Sequence, residues 1–148
     1  MLRPDLDTVP AFYKRYVEHV KDFDMIHILE HSNRQMVALA RSIPEEKGVY
    51  RYAHEKWSIK ELLCHMMDAE RIFGYRALRF ARNDSTPLEG FEENDYAPEA
   101  NAHGRSIQQL ADEMERLRKS TIDLFMSFTP VMLSRKGSAN NTEISVLN

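Results

Sequence analysis

Apolar residues recur three and four positions apart along most of the chain, which is the spacing of amphipathic α-helices. The first long stripe predicts a helix from about Asp24 to Arg41. Pro44 closes it, because proline disfavours helical geometry in the residue before it. A short leading helix is predicted after Pro10, since proline suits a first helical position. We find no convincing strand.

The second and third long helices have recognisable start signals. Ser58 with Glu61, and Ser106 with Gln109, have the spacing of capping boxes. In such a box the serine and the acidic or amide side chain each satisfy a free backbone N–H group. The apolar stripe of the second helix continues to about residue 80, and the third helix is predicted to end at Pro130. The chain is therefore predicted to be all-α.

The segment of about residues 83–105 separates these two helices. It contains Pro87, Gly90, Pro98 and Gly104, so we expect an irregular loop. A helix of about 24 residues is roughly 36 Å long, whereas a chain of about 20 residues can span roughly 65 Å. The loop can therefore cross over and let the two helices lie parallel. We expect a single domain, residues 1–148, built as a helical bundle with one long crossover.

The C-terminal region breaks this pattern. Ser134–Asn141 is polar and predicts a turn, and Thr142–Val146 resembles the first turn of another helix. The chain stops at Asn148, and six or seven residues do not form a stable helix on their own. We therefore expect the fourth helix of the bundle to be truncated or missing.

Composition and charge exclude several classes of function. The 148 residues carry a formal net charge of −3 and only five glycines, so neither bulk attraction to nucleic acid nor a Gly-rich phosphate loop is expected. No stretch approaches the roughly 20 apolar residues of a membrane span. The single cysteine, Cys64, cannot form an intrachain disulfide, and Met1–Asp5 has no apolar signal core. Both features favour a cytoplasmic protein.

Two residues of the second helix are candidates for chemistry. His65 lies at the border of the apolar stripe, where it could face a cleft between helices, as metal ligands of bundles do; an ordinary boundary histidine is the alternative. Glu70 falls inside the stripe, so its carboxylate needs a cation or hydrogen-bond donors. It is a candidate general base or partner of a metal ligand, or else one half of a structural ion pair with an arginine.

Two other patterns favour plainer interpretations. His27–His31 matches H-x-x-E-H, the inverted zinc-protease pattern, in which histidines four residues apart can share a metal. This segment lies opposite the apolar stripe of its helix, so we expect a solvated face. Cys64 directly precedes His65, but adjacent helical residues do not face each other, so an inert cysteine is expected.

The segment Lys56–His65, with the sequence Lys-Trp-Ser-Ile-Lys-Glu-Leu-Leu-Cys-His, resembles the signature of the DinB/YfiT-like superfamily. The resemblance extends through Asp68–Phe73, Tyr75–Phe80 and Pro87–Phe91. It implies an up-down-down-up four-helix bundle. It also implies a divalent metal, nickel or zinc, held by three histidines. His65 matches the one from the second helix, and the other two would form a pair on the fourth.

This pair has no counterpart in the chain, since no histidine follows His103. The resemblance therefore implies an incomplete metal site, with His65 as a ligand and Glu70 as a supporting carboxylate at best. The first expected function is that of a metal-dependent enzyme of the thiol-transferase or hydrolase type, acting on a small molecule or a thiol. The alternative is a non-catalytic bundle that binds a partner or an apolar ligand through an open groove. Such a groove also favours a homodimer.

Overall fold

The computed structural model describes residues 6–7, 9–20, 22 and 24–147. Met1–Asp5, where we expect no export signal, lie outside the described residues. In the described part of the chain the short leading helix and the three long helices are present as predicted. The elements are α1 (Ala11–Glu18), α2 (Met25–Ser42), α3 (Ile59–Ala81), α4 (Glu93–Glu99), α5 (Ile107–Met126), α6 (Pro130–Ser134), β1 (Lys136–Ala139) and β2 (Thr142–Ser145), with single 3₁₀ turns at Glu45–Lys47 and Ala102–Gly104.

Both ends of α3 are fixed by local hydrogen bonds. The predicted capping box is formed: the Ser58 N–H donates to Oε2 of Glu61 at 2.6 Å, and the Glu61 N–H donates to Oγ of Ser58 at 3.3 Å. At the other end Asn83 has a φ of 62°, and the Asp84 N–H donates to the Arg79 carbonyl at 3.0 Å. This is a Schellman C-cap. The box predicted for α5 is formed as well.

The segment 83–105 is more ordered than its prolines and glycines predict. It contains α4 and the 3₁₀ turn Ala102–Gly104. The side chain of Glu92 caps α4 by accepting from the Asn94 N–H at 3.1 Å. Pro98 lies inside α4, one residue before its end, and lacks the N–H that would donate to the carbonyl of Asn94, so this short helix forms despite the loss of one helical hydrogen bond. The expectation of an irregular loop was therefore wrong for residues 93–99 and 102–104.

The C-terminal region forms a β-hairpin instead of the first turn of a helix. Strands β1 and β2 are antiparallel, and Gly137 pairs with Ile144. Asn140 and Asn141 connect the strands with φ values of 49° and 57°. Positive φ at both positions is what a two-residue type I′ turn requires. The period-two alternation of residues 142–146 is the strand signal that the helical interpretation of Thr142–Val146 overlooked.

Pro130 does not end α5, which already stops at Met126. It is instead the first residue of α6. The side chain of Thr129 caps α6 by accepting from the Met132 N–H at 3.3 Å. Proline suits this place because the N–H that it lacks would have no helical partner there.

The chain groups into two compact units. Unit 1 comprises Met1–Glu30, Phe73–Phe91 and Ile122–Asn148. Its core is built from the end of α3, the segment after α5 and the hairpin. The core residues are Ala77, Phe80, Ala81, Phe128, Ala139 and Val146. Leu88 adds one bridge to the hairpin, because its N–H donates to the Ser138 carbonyl and its carbonyl accepts from the Asn140 N–H, both at 2.9 Å.

Unit 2 comprises His31–Ile72 and Glu92–Thr121. Its core joins the facing stripes of α2, α3 and α5, as helical periodicity predicts. The buried core residues are Ala40, Leu63, Cys64, Met67, Ala102, Leu110, Ala111 and Met114. The single domain over residues 1–148 stays a prediction of the sequence.

Candidate functional site

His65 lies in the second turn of α3 and is half-buried in unit 2. Its imidazole packs against the indole of Trp57, with the ring centroids 4.6 Å apart and the planes tilted by 45°. Trp57 directly precedes the N-cap Ser58, so the capping box that starts α3 also places this indole. A metal binds an imidazole at the ring edge, through a nitrogen. The contact with Trp57 therefore orients the ring that the sequence predicts as a metal ligand.

The described side chains do not complete a metal site around this histidine. Across residues 6–7, 9–20, 22 and 24–147, no three His, Cys, Asp or Glu side chains lie together as a group that could hold a metal ion. A catalytic zinc needs about three protein ligands and an open position. The donor set that the structure describes does not fit such a centre.

Glu70 is held by an arginine from another helix of unit 2. Its Oε1 accepts from Nε of Arg118 at 2.7 Å, and its Oε2 accepts from Nη2 at 3.0 Å. Arg118 also donates from Nη1 to Oγ of Ser32 at 2.9 Å. The ion pair that the sequence leaves open is therefore formed, with a partner 48 positions away. Both carboxylate oxygens of Glu70 are engaged by this pair.

The thiol of Cys64 is buried in unit 2. Burial raises the pKa of this thiol, and the nearby Arg105 only partly opposes the rise. Nη2 of Arg105 donates to the sulfur at 2.9 Å and its Nη1 donates to Glu113 at 2.7 Å. Since a nucleophilic cysteine must be an accessible thiolate, this one is unsuited to nucleophilic chemistry.

The H-x-x-E-H segment lies at the surface of α2. His27, Glu30 and His31 are all exposed, as expected for a solvated helix face. None of them belongs to a metal-binding group among the described side chains.

A charged cluster at the start of α3 was not found from the sequence. The nearly buried Lys60 pairs with Oε1 of Glu45 at 2.5 Å, and Oε2 of Glu45 accepts from the Ile107 N–H at 2.8 Å. The pKa of Glu45 lies below its usual value because of the hydrogen bond from Lys60. Burial raises the pKa of Glu61, but bonds from Ser58 and Arg51 outweigh it and leave the value lowered. These groups connect the starts of α3 and α5.

Unit 1 contains an apolar cavity of about 510 Å³. Its lining includes the aromatic side chains of Phe12, Tyr16 and Phe73, each of which is about half exposed. The hairpin region and the second half of α3, with the buried Arg76, supply much of the remaining lining, and α1, the start of α2 and the end of α5 contribute the rest. The sequence predicts an open apolar groove but does not say where it lies, because helical periodicity does not show how the helices are arranged. The apolar cavity of unit 1 is the described feature nearest to that prediction.

Comparison with known families assigns the chain. The profile of the DinB superfamily matches residues 28–148, most of the chain. The chain belongs to the DinB superfamily. The resemblance carried by Lys56–His65 is thereby confirmed. A search of curated proteins finds no significant match.

The fold of this DinB protein is also found in a solved structure. YfiT from Bacillus subtilis, described as a "probable metal-dependent hydrolase with an unusual four-helix bundle topology", matches with a TM-score of 0.73. The match covers 82% of this chain and 71% of YfiT at 11% sequence identity. At this identity the likeness shows the fold alone. It confirms the four-helix-bundle fold, whereas a truncated or missing fourth helix stays a prediction of the sequence.

Within the described residues, none of the helices of this DinB protein combines the length and hydropathy that crossing a membrane requires. The cytoplasmic location, the homodimer, the thiol or small-molecule partner and the absence of nucleic-acid binding stay predictions of the sequence.

Proposed function

We propose that this chain is a DinB-type metal-dependent enzyme domain of the hydrolase or thiol-transferase class, with His65 as one metal ligand. The observation that carries the proposal is the placement of His65 against Trp57 inside the superfamily signature. The description of YfiT as a metal-dependent hydrolase supports the same class. Nickel and zinc are the proposed metals, since both accept imidazole ligands.

The proposed site is incomplete within the described residues. One imidazole does not hold a catalytic metal tightly, because affinity and geometry come from several ligands together. A complete centre would supply a bound water or thiol with a lowered pKa. Glu70 is at best a supporting carboxylate, because Arg118 already engages both of its oxygens.

A nickel titration tests the role of His65 directly. Trp57 is the single tryptophan of the chain, and its ring lies 4.6 Å from that of His65. A paramagnetic Ni²⁺ ion on His65 should therefore quench the tryptophan emission. We expect saturable quenching in the wild-type protein and its loss in His65→Ala. The Ni²⁺ bound at equilibrium, measured across a dialysis membrane against a known free concentration of Ni²⁺, should fall in the same variant.

The double variant H27A/H31A is the matched control, because it removes the two exposed histidines of α2 that could chelate Ni²⁺ at the surface. It should quench as the wild-type protein does. Quenching that survives in His65→Ala, or a wild-type protein that takes up no metal, would reject His65 as a ligand.

A second function is favoured by the cavity of unit 1. At about 510 Å³, the cavity is of the size that proteins use for small ligands. We propose non-catalytic binding of an apolar ligand there as the alternative. Metal-free protein that binds 1-decanol with one-to-one stoichiometry would favour this function over the enzyme.

A further inference from the structure

Arg76 is a buried cation in the wall of the unit 1 cavity. The residue is 8% exposed. Its Nη2 donates to the Glu89 carbonyl at 2.9 Å, and its guanidinium carbon lies 5.5 Å from the ring centroid of Phe73. Among the residues that the structure describes, these are its polar and aromatic partners, and no carboxylate pairs with it.

Its helical neighbours differ in this respect. Arg79 is more exposed and pairs with Asp84, and Arg71 is more exposed still and pairs with Asp68 and Glu113. A buried charge without a counter-ion is costly, whereas an exposed one is not. The arginine of α3 that most needs an anion is therefore the one to which the described residues provide none.

The cavity beside Arg76 is mostly apolar, although Thr142 and Ser145 also line it. Phe12, Tyr16 and Phe73 contribute aromatic surface, and Ile144 and Val146 of the hairpin region contribute aliphatic surface. Pockets of about 300–1,000 Å³ with apolar walls and a few fixed polar groups are typical of small-molecule sites. In such a site the fixed polar group, here Arg76, determines the orientation and the position of the bound ligand.

We propose that this cavity binds a small amphipathic anion, an apolar chain or ring that carries one carboxylate, and that the carboxylate pairs with Arg76. The inference rests on the second function above, binding of an apolar ligand, and adds the charge of that ligand. One N–H group of the guanidinium serves Glu89, and the planar fork has further donors. A carboxylate accepts two of them in parallel.

Calorimetry with matched ligands tests the charge. Decanoate and 1-decanol have the same chain length, and 2-naphthoate and 2-naphthylmethanol have the same ring. We expect at least one carboxylate to bind one to one, at least tenfold more tightly than its neutral alcohol. The better of the two carboxylates identifies an acyl or an aromatic ligand.

The outcomes separate the two ideas. Equal affinity for the acid and the alcohol would overturn the role of Arg76 and leave apolar binding intact. Binding of none of the four ligands would overturn both. This comparison uses the wild-type protein and does not depend on the folding of any variant.

Arg76→Met removes the charge and keeps an apolar chain of similar length. It should weaken the better carboxylate at least tenfold and leave the alcohol within about twofold. Arg82→Met is the control, because Arg82 is exposed just beyond α3 and lies outside the lining of the cavity. It should change neither affinity. An equal loss for acid and alcohol in Arg76→Met would indicate a damaged cavity and would count against the ion pair.

Discussion

Glu70 of α3 and Arg118 of α5 form a two-point ion pair, with nitrogen–oxygen distances of 2.7 and 3.0 Å. The two side chains are only 13% and 22% exposed. Arg118 also reaches Ser32 of α2, so one guanidinium connects all three long helices within unit 2. The carboxylate inside the apolar stripe of α3 is thereby neutralised.

Arg118→Met should lower the free energy of unfolding by about 2–3 kcal/mol, because it leaves the largely buried carboxylate of Glu70 without a cation. Urea unfolding followed by the emission of Trp57, which lies in the same unit, measures this change. The double variant E70Q/R118M should recover part of the loss.

Lys119→Met is the matched control for this pair. Lys119 is 66% exposed and pairs with Glu115, and such surface pairs contribute less than about 1 kcal/mol. If Arg118→Met were no more destabilising than Lys119→Met, the buried pair would have no structural role.

The elements that the sequence predicted correctly are those with strong local signals. The start of α3 is predicted by the spacing of Ser58 and Glu61, and the structure shows the hydrogen bonds between them. Its end is predicted by the change of composition near Asn83, which has a positive φ. The helical period of apolar residues and the capping motifs depend on residues a few positions apart, so a single sequence is enough to predict them.

The features that were missed depend on distant residues or on very short elements. The partner of Glu70 lies 48 positions away, and nothing in the spacing of α3 selects Arg118 among the arginines of the chain. The hairpin has four residues per strand, so the alternation in residues 142–146 is short and was given less weight than the much longer helical pattern. The cavity of unit 1 arises from three separate stretches of sequence, which helical periodicity does not assemble.

Two glycines should respond to alanine in opposite directions. A Cβ at Gly137 of β1 would lie 2.1 Å from Cδ1 of the buried Phe80 ring, whereas a Cβ at Gly74 of α3 would meet nothing within 4 Å. Gly137→Ala should destabilise the protein by about 1–3 kcal/mol through overpacking. Gly74→Ala should stabilise it by up to about 1 kcal/mol, because alanine favours helix.

Thermal melts of the two variants measure this contrast. The sign is the decisive result: Gly137→Ala should melt below the wild-type protein, and Gly74→Ala should melt above it. An unchanged melting temperature for Gly137→Ala would mean that β1 does not lie against Phe80 in solution.

Asp84 should make stability depend on pH in the acid range. The hydrogen bond from Arg79 holds the pKa of Asp84 well below its usual value, and the Thr86 N–H, which donates at 3.0 Å, acts in the same direction. A carboxyl with a lowered pKa stabilises the folded state above its ordinary pKa of about 4. This contribution is lost as the pH falls below that value.

The melting temperature of Asp84→Asn should therefore lie below that of the wild-type protein at pH 6, and the difference should shrink as the pH falls from about 4 to 2.5. Asp123→Asn, on the exposed side of α5, is the control and should show no such convergence. A difference that stays constant, or grows, towards acid would contradict the pairing of Asp84 with Arg79.

Cys64 reports on the opening of unit 2. The residue is 1% exposed, and burial raises the pKa of its thiol. A thiol reagent needs an accessible thiolate, so modification of the folded protein must wait for local or global opening. At pH 8 we expect labelling at least about a hundredfold slower than in concentrated urea. Because Cys64 is the single cysteine, every labelled equivalent measures this one position.

Arg118→Met, which is expected to destabilise the same unit, should accelerate the labelling of Cys64, whereas Lys119→Met should not. A folded protein that reacts as fast as the unfolded chain would show that the α2–α3–α5 core does not exclude solvent.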